Sequence, residues 1–115
     1  MMASRKKLSV SYYRDKDILY LQILPQRPAK IEEMAHGLLV RYDWENLDEV
    51  VGFEILDFSM FVPHLGEPDA LPELDMRFDV ENADLENATL RDVLLGAYQR
   101  YILDERFAGR KAEAA

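Results

Sequence analysis

The feature that most constrains the fold is a pair of alternating segments, residues 8–13 and 18–24, on either side of four charged residues. If Tyr13 pairs with Ile18, one antiparallel register satisfies both faces of the two segments. It pairs Leu8 with Ile23, Val10 with Leu21 and Tyr12 with Leu19 on the apolar face, and Ser9 with Gln22 and Ser11 with Tyr20 on the other. A shift by one residue would turn the apolar side chains to the wrong face. The sequence therefore predicts a β-hairpin.

Three further segments have the pattern of strands. Residues 38–42 and 50–56 flank an acidic loop and can form a second antiparallel hairpin. The expected register pairs Arg41 with Glu54, Tyr42 with Phe53 and Val40 with Ile55. Residues 74–80 alternate between apolar and charged side chains, which predicts a half-buried fifth strand.

An apolar stripe at helical spacing predicts a long C-terminal helix. Its members are Leu90, Val93, Leu94, Ala97, Tyr98, Tyr101 and Ile102. Thr89 followed by Asp92 resembles a capping box at the start of the helix, and Gly109 is expected to end it. The predicted fold class is therefore α+β, with an antiparallel sheet of two hairpins plus a fifth strand, packed on one face by the helix.

The remaining segments are assigned to tails and connections. The domain organisation expected is 1–7 as a flexible basic tail, 8–109 as a single α+β domain and 110–115 as a flexible C-terminal tail. Residues 25–37 form a longer connection because Pro25 and Pro28 cannot continue a strand, and residues 30–36 are expected to form one helical turn. Residues 58–62 fit either a short helical turn or an extension of the sheet edge.

Length and composition fit one globular domain, since the chain has 115 residues, of which 49% are hydrophobic and 31% charged. The absence of cysteine excludes disulfides, thiol catalysis and thiolate metal sites. No apolar run approaches the roughly 20 residues of a transmembrane helix. The charges at residues 14–17 also interrupt any signal-like segment near the start. We therefore expect a cytoplasmic protein with no membrane partner.

The net charge is −8, and the acidic residues concentrate late in the chain. Residues 66–92 contain nine acidic and two basic residues, a balance of −7. Such a surface repels phosphate backbones, so direct nucleic-acid binding is not expected. The acidic stretch can attract a basic protein partner, or it can simply keep the protein in solution.

Residue types that perform catalysis are scarce. Both histidines, His36 and His64, lie in predicted loops and would hold a metal only together with acids such as Glu32 or Glu67. Their spacing matches no metal motif, so ordinary loop histidines are the alternative. None of the serines lies in a nucleophile elbow, and the glycines are too scattered for a phosphate loop. The sequence predicts no catalytic residue, no cofactor and no metal ligand, which favours a protein that is not an enzyme.

The polar face of the predicted sheet is a candidate recognition surface. It carries Ser11, Tyr20, Gln22, Arg41 and Glu54, with Gly52 leaving space beside them. The alternative is that this face simply contacts solvent, as in many antiparallel sheets. Leu24, Leu39 and Leu56 share the face, which adds a third interpretation, that another subunit or a partner covers it. Trp44 in the acidic loop would either anchor a partner or fold back over its own sheet.

Three short motifs resemble one known family. They are Tyr13-x-x-x-Asp17-Ile-Leu-Tyr20-Leu, Gly37-Leu-Leu-Val-x-Tyr-Asp43 and Val51-Gly52-Phe-Glu54-Ile-Leu-Asp57-x-Ser59. In this order and spacing they are similar to domain-of-unknown-function family 2283, from Leu8 to Ser59. The positions that match the family signature are Asp17, Tyr20, Gly52, Glu54 and Ser59.

The resemblance supports the fold and implies no mechanism, because the family has no assigned reaction. Phe58 departs from the pattern, which usually has a small residue there, and residues 60–115 lie outside it. The signature positions have structural interpretations: Asp17 closes a turn, Gly52 relieves crowding and Glu54 pairs with Arg41.

Three hypotheses on function follow. The first is a non-enzymatic protein-binding or assembly module that forms a homo-oligomer, with a dimer as the expected state. The second is an acidic, antitoxin-like protein that masks a basic partner. The third is a small hydrolase or metal site at His36 and His64.

Overall fold

The computed structural model describes residues 4–81 and 83–104. Its strands are β1 (Ser4–Tyr13), β2 (Ile18–Ile23), β3 (Ala29–Glu33), β4 (Leu38–Asp43), β5 (Val50–Ile55), β6 (Met76–Val80) and β7 (Leu85–Ala88). Its α-helices are α1 (Phe58–Phe61) and α2 (Leu90–Ala97), and α2 continues into a π-helical segment, Tyr98–Leu103. The strands form one mixed sheet in the order β3-β4-β5-β2-β1-β6-β7, in which only β1 and β6 pair in parallel. The α+β class is confirmed, with more strands than predicted.

The first hairpin has the predicted register. Tyr13 pairs with Ile18, and each partner from there to Leu8 and Ile23 is the expected one. However, β1 begins at Ser4, so residues 4–7 belong to the sheet although the sequence placed them in a tail. They pair in parallel with β6, and Arg5 makes an ion pair of 2.6 Å with Asp79. Parallel strands are not joined by a tight turn, so the sequence carries no local signal for this pairing.

The second hairpin forms, but its predicted register was wrong by two residues at Val40 and Arg41 and by three at Tyr42. Arg41 lies opposite Gly52 rather than Glu54, and Tyr42 lies opposite Val50, which leaves Val51 as the extra residue of a β-bulge. A shift of two residues keeps side chains on their faces, and the extra bulge residue accounts for the third residue at Tyr42, so the expected faces survive. The expected ion pair also survives as a diagonal contact, with 3.6 Å between the Arg41 guanidinium and the Glu54 carboxylate.

The connection predicted for residues 25–37 contains a strand. Residues 30–33, expected in a helical turn, belong to β3, which pairs along β4 at the edge of the sheet. Only Ala35–Gly37 forms a 3-10 turn. The sequence Lys30–Glu33 has little strand propensity, so pairing with β4 overrides the local preference. Its charges suit an edge strand, because they discourage pairing with another sheet.

The helices cover one face of the sheet and complete a single core. Phe53 and Phe78 of the sheet are fully buried and share one core cluster with Phe58 and Phe61 of α1 and the apolar side of α2. The predicted capping box is present, since the Thr89 hydroxyl accepts from the Asp92 amide at 3.1 Å and the Asp92 carboxylate accepts from the Thr89 amide at 3.2 Å. Residues 58–61 adopt the helical alternative. Gly109 and residues 110–115 lie outside the described residues.

No helix among residues 4–81 and 83–104 combines the length and the apolar character that a membrane crossing requires.

Candidate functional site

The sheet face opposite the core brings the predicted recognition residues together. We define this outer face as Ser11, Tyr13, Tyr20, Gln22, Ile31, Leu39, Arg41, Gly52 and Glu54. Two rows of paired residues run across it, since cross-strand partners share a face. The rows are Ser11–Tyr20–Glu54–Leu39 and Gln22–Gly52–Arg41–Ile31, and the pairing continues beyond them to Glu33 next to Leu39 and to Ser9 next to Gln22.

A groove with a volume of about 580 Å³ runs along part of the outer face. It lies between residues 11–16 and the side chains of Tyr20, Gln22 and Arg41. The rings of Tyr13 and Tyr20 meet edge to face, with 5.0 Å between their centroids. The groove therefore joins aromatic surface to hydroxyl, amide and guanidinium groups.

At Gly52 the neighbouring strand leaves no room for a side chain. A Cβ atom there would lie 2.7 Å from the Leu21 carbonyl oxygen and 3.5 Å from Cδ of Arg41. Because glycine has no side chain, the Arg41 side chain can lie over Gly52 and reach Glu54, two residues further along β5. This agrees with the crowding that the sequence indicated at Gly52.

The signature residues Asp17 and Ser59 are in contact although 42 positions separate them. The Asp17 carboxylate accepts hydrogen bonds from the Ser59 hydroxyl at 2.6 Å, the Ser59 amide at 3.1 Å and the Tyr12 hydroxyl at 2.7 Å. The Asp17 carbonyl also accepts from the Phe58 amide at 2.9 Å. Asp17 thus satisfies the free amides at the start of α1 and ties the first hairpin to it. Sequence reasoning recognised the turn at Asp17 but missed this contact.

Trp44 does not fold back over the sheet. It follows β4, and 65% of its surface is exposed. Beside it lies a cluster that sequence reasoning missed, in which Arg27 binds Asp43 and Glu49 at 2.6 Å each. The Arg27 guanidinium, chiefly through its hydrogen bond, lowers the pKa of Glu49. This cluster closes the acidic loop, which leaves the indole of Trp44 in solvent.

Part of the acidic stretch, residues 66–92, is used within the fold. Asp79 pairs with Arg5, Glu81 lies 4.0 Å from Lys7, Asp92 caps α2 and Glu67 binds both histidines. Four of its nine acids therefore have partners in the same chain. The stretch is less available to a basic partner than its composition indicated.

Asp79 gives a prediction about pH. The hydrogen bonds from Arg5 and from the Asn87 amide lower the pKa of Asp79 below its ordinary value of 3.8. Its contribution to stability is therefore present above pH 3.8 and lost as the pH falls through the lower folded pKa. We expect Asp79→Asn to be less stable than the native chain at neutral pH and to approach it in acid. Urea unfolding across this range tests the prediction, with Glu73→Gln as a control. A stability difference that does not change with pH would contradict it.

The two histidines meet at one cluster, although 28 positions separate them in the chain. Their rings stack with 3.8 Å between centroids. Nε2 of His36 lies 2.6 Å from one oxygen of Glu67, and Nδ1 of His64 lies 3.0 Å from the other. The hydrogen bonds to His64 and His36 lower the pKa of Glu67. Glu67 is thus the acid that joins the histidines, whereas Glu32 lies in β3.

These observations define a small α+β protein in which helices cover one face of the sheet. Residues 9–59 match the model of DUF2283, a family of proteins of unknown function, and the rest of the chain is not covered by the match. The matched segment contains all five signature positions and runs from β1 into α1. No curated protein and no solved structure matches the chain. The resemblance drawn from the three motifs is therefore confirmed, and it assigns no activity.

Proposed function

We propose that this chain is a non-enzymatic assembly module that forms a homodimer through the outer face. One observation carries the proposal: both α-helices and the π-helical segment pack on the other face, and no described element covers the outer face. The sheet and the helices form a two-layer domain, and the outer face is the surface on which a third layer can pack. A second copy would supply that layer.

The outer face has the apolar character that such a layer requires. Tyr13 and Ile31 expose 59% and 49% of their surfaces, and Leu39 and Tyr20 lie between them, half-buried. Removing apolar surface from water contributes about 25 cal/mol per Å². The residues therefore offer a driving force for face-to-face packing of two sheets.

The charges of the outer face fit a second copy of the same chain. A twofold interface places one patch against itself, so every charge in it needs its opposite in the same patch. Arg41 and Glu54 at the centre of the outer face meet this condition, since they form a balanced pair although the chain carries a net charge of −8, and Glu33 lies beyond them at the edge of the sheet. Ser11, Tyr20 and Gln22 add both donors and acceptors.

Contact through the faces is favoured over contact through the sheet edge. The free edge of β3 carries Lys30, Glu32 and Glu33, all exposed. Charges on an edge strand oppose the addition of another strand. The dimer is therefore a pair of stacked sheets rather than one continuous sheet.

The antitoxin-like alternative has less support. That hypothesis was based on the acidic stretch, residues 66–92. Four acids of that stretch contact groups of the same chain. No feature of the described residues favours a basic partner over a second copy.

The proposal predicts that one charge on the outer face separates the dimer. We expect the native chain to show twice its mass of 13.4 kDa in light scattering, and Ile31→Asp and Tyr13→Asp to show the single mass. Both side chains are exposed, so neither change removes a core contact. Each would place a carboxylate in an apolar interface, which costs several kcal/mol.

The matched control is Met60→Asp. Met60 lies on α1, on the helical side, and is 69% exposed, so a carboxylate there should leave the dimer intact. A native chain that remains monomeric at every concentration would refute the proposal. So would a dimer that persists in both outer-face variants.

A further inference from the structure

The cluster of His36, His64 and Glu67 is independent of the outer face and of self-association. Two loops build it. His36 lies in the 3-10 turn between β3 and β4, and the other two residues lie in and just after the 3-10 helix Val62–Gly66 that follows α1. The described parts of the chain thus bring every histidine of the protein to one carboxylate.

Local backbone geometry sets the direction of each side chain. Residues three apart eclipse each other on a 3-10 helix, so His64 and Glu67 project from the same side. The Glu67 amide donates to the His64 carbonyl at 2.9 Å, which fixes this spacing. His36 has a φ of 62°, a left-handed conformation that is uncommon outside glycine. The next residue, Gly37, packs closely against the Leu56 backbone. A Cβ atom at Gly37 would lie 3.1 Å from the Leu56 carbonyl oxygen.

The donor atoms have the chemistry and the separation of a metal site. One nitrogen from each histidine and one oxygen from Glu67 all lie within 4.8 Å of one another. Two imidazoles and a carboxylate are ligands that zinc takes at about 2.0–2.2 Å, in sites that keep a fourth position open. We propose that His36, His64 and Glu67 bind one divalent transition-metal ion, with zinc as the natural occupant.

Bound metal would have solvent access. The side chains of the three ligands expose 32%, 39% and 51% of their surfaces. A tetrahedral ion with three protein ligands therefore takes water or a small ligand in its fourth position. The ion would enter where the rings now direct nitrogens toward Glu67, and it would replace those hydrogen bonds.

The competing interpretation is a hydrogen-bonded latch. In that case the histidines join two loops through Glu67, and the cluster takes no ion. Metal titration separates the two interpretations, because a latch without metal affinity leaves added zinc free.

The test uses full-length chain without a histidine tag and measures zinc binding against a chromophoric competitor. We expect about one equivalent to bind. His36→Asn, which tolerates the left-handed backbone, and His64→Ala should abolish binding. Glu67→Gln should weaken zinc binding by about tenfold or more, because loss of a ligand costs at least as much affinity as loss of a residue that only supports a ligand. Cobalt should give a visible spectrum that both histidine variants lose, since the chain has no other histidine and no cysteine.

Glu32→Gln is the matched control, because Glu32 is an exposed acid near the same turn and lies outside the cluster. It should bind zinc like the native chain. Melting curves without metal check that each variant is folded, and zinc should raise the melting temperature only where the site is intact. Absence of binding by the native chain would overturn the proposal in favour of a latch only. Binding that survives both histidine substitutions would overturn it as well.

Discussion

Replacing Asp17 by alanine is expected to lower the free energy of unfolding by about 3 kcal/mol, because hydrogen bonds to a charged group contribute about 1.5–3 kcal/mol each and partly overlap. The Asp17 carboxylate accepts from Tyr12 and from both the amide and the hydroxyl of Ser59. Its loss leaves the Ser59 amide and hydroxyl at the start of α1 without their acceptor, whereas the Phe58 amide keeps its bond to the backbone carbonyl of residue 17. Asp17 also has a φ of 54°, which alanine adopts at a further cost. Urea unfolding measures the loss.

Two other variants separate the side-chain contacts from the backbone strain. Asp17→Asn keeps a residue that tolerates positive φ and retains one acceptor oxygen, so it should lose less stability than Asp17→Ala. Ser59→Ala should lose about 1.5 kcal/mol, the lower end of the range for a single hydrogen bond to a charged group. An alanine variant as stable as the native chain would show that the contact between Asp17 and Ser59 does not stabilise the fold.

Replacing Gly52 by alanine is expected to cost about 2 kcal/mol, the range of overpacking in a well-packed interior. The new Cβ would lie 2.7 Å from the Leu21 carbonyl oxygen, which belongs to the backbone of the neighbouring strand. Backbone in the centre of a sheet cannot move aside as a flexible side chain can. We therefore expect β2 and β5 to separate locally, with a lower unfolding midpoint in urea.

Gly66→Ala is the matched control for Gly52→Ala. A Cβ at Gly66 would have no neighbour within 4 Å, so its stability should change by at most about 0.5 kcal/mol. Equal effects at the two positions would mean that the close approach at Gly52 carries no cost. An effect confined to Gly52 would show that the close approach of β2 requires glycine at this position.

Local patterns predicted local structure well. The first hairpin was predicted in full because one register paired both faces across a short turn. The second was misaligned because alternation is satisfied equally by registers two residues apart, and the bulge at Val51 has no signal in alternation alone. β3 and β7 were missed, since Ala29–Glu33 and Leu85–Ala88 carry charges and polar groups and form strands through pairing. The parallel pairing of β1 with β6 joins distant segments that no turn connects.

The same distinction holds for the sites. The outer face could be predicted because strand alternation assigns faces even when the register is shifted. Contacts between distant segments could not be predicted. The motif spacing placed Asp17 and Ser59 in one signature without revealing that they touch. The histidines appeared as separate loop residues, and only the fold selects Glu67 over Glu32 as their shared acid.

Thiol reactivity at one introduced cysteine tests the proposed dimer most directly, because the native chain has no cysteine. Ser11→Cys places the thiol on the outer face, and Met60→Cys places it on exposed helical surface. We predict that the thiol at position 11 reacts more slowly as protein concentration rises, that the thiol at position 60 keeps its rate, and that Ile31→Asp restores fast reaction at position 11. Equally fast reaction at both positions at every concentration would contradict the proposed interface.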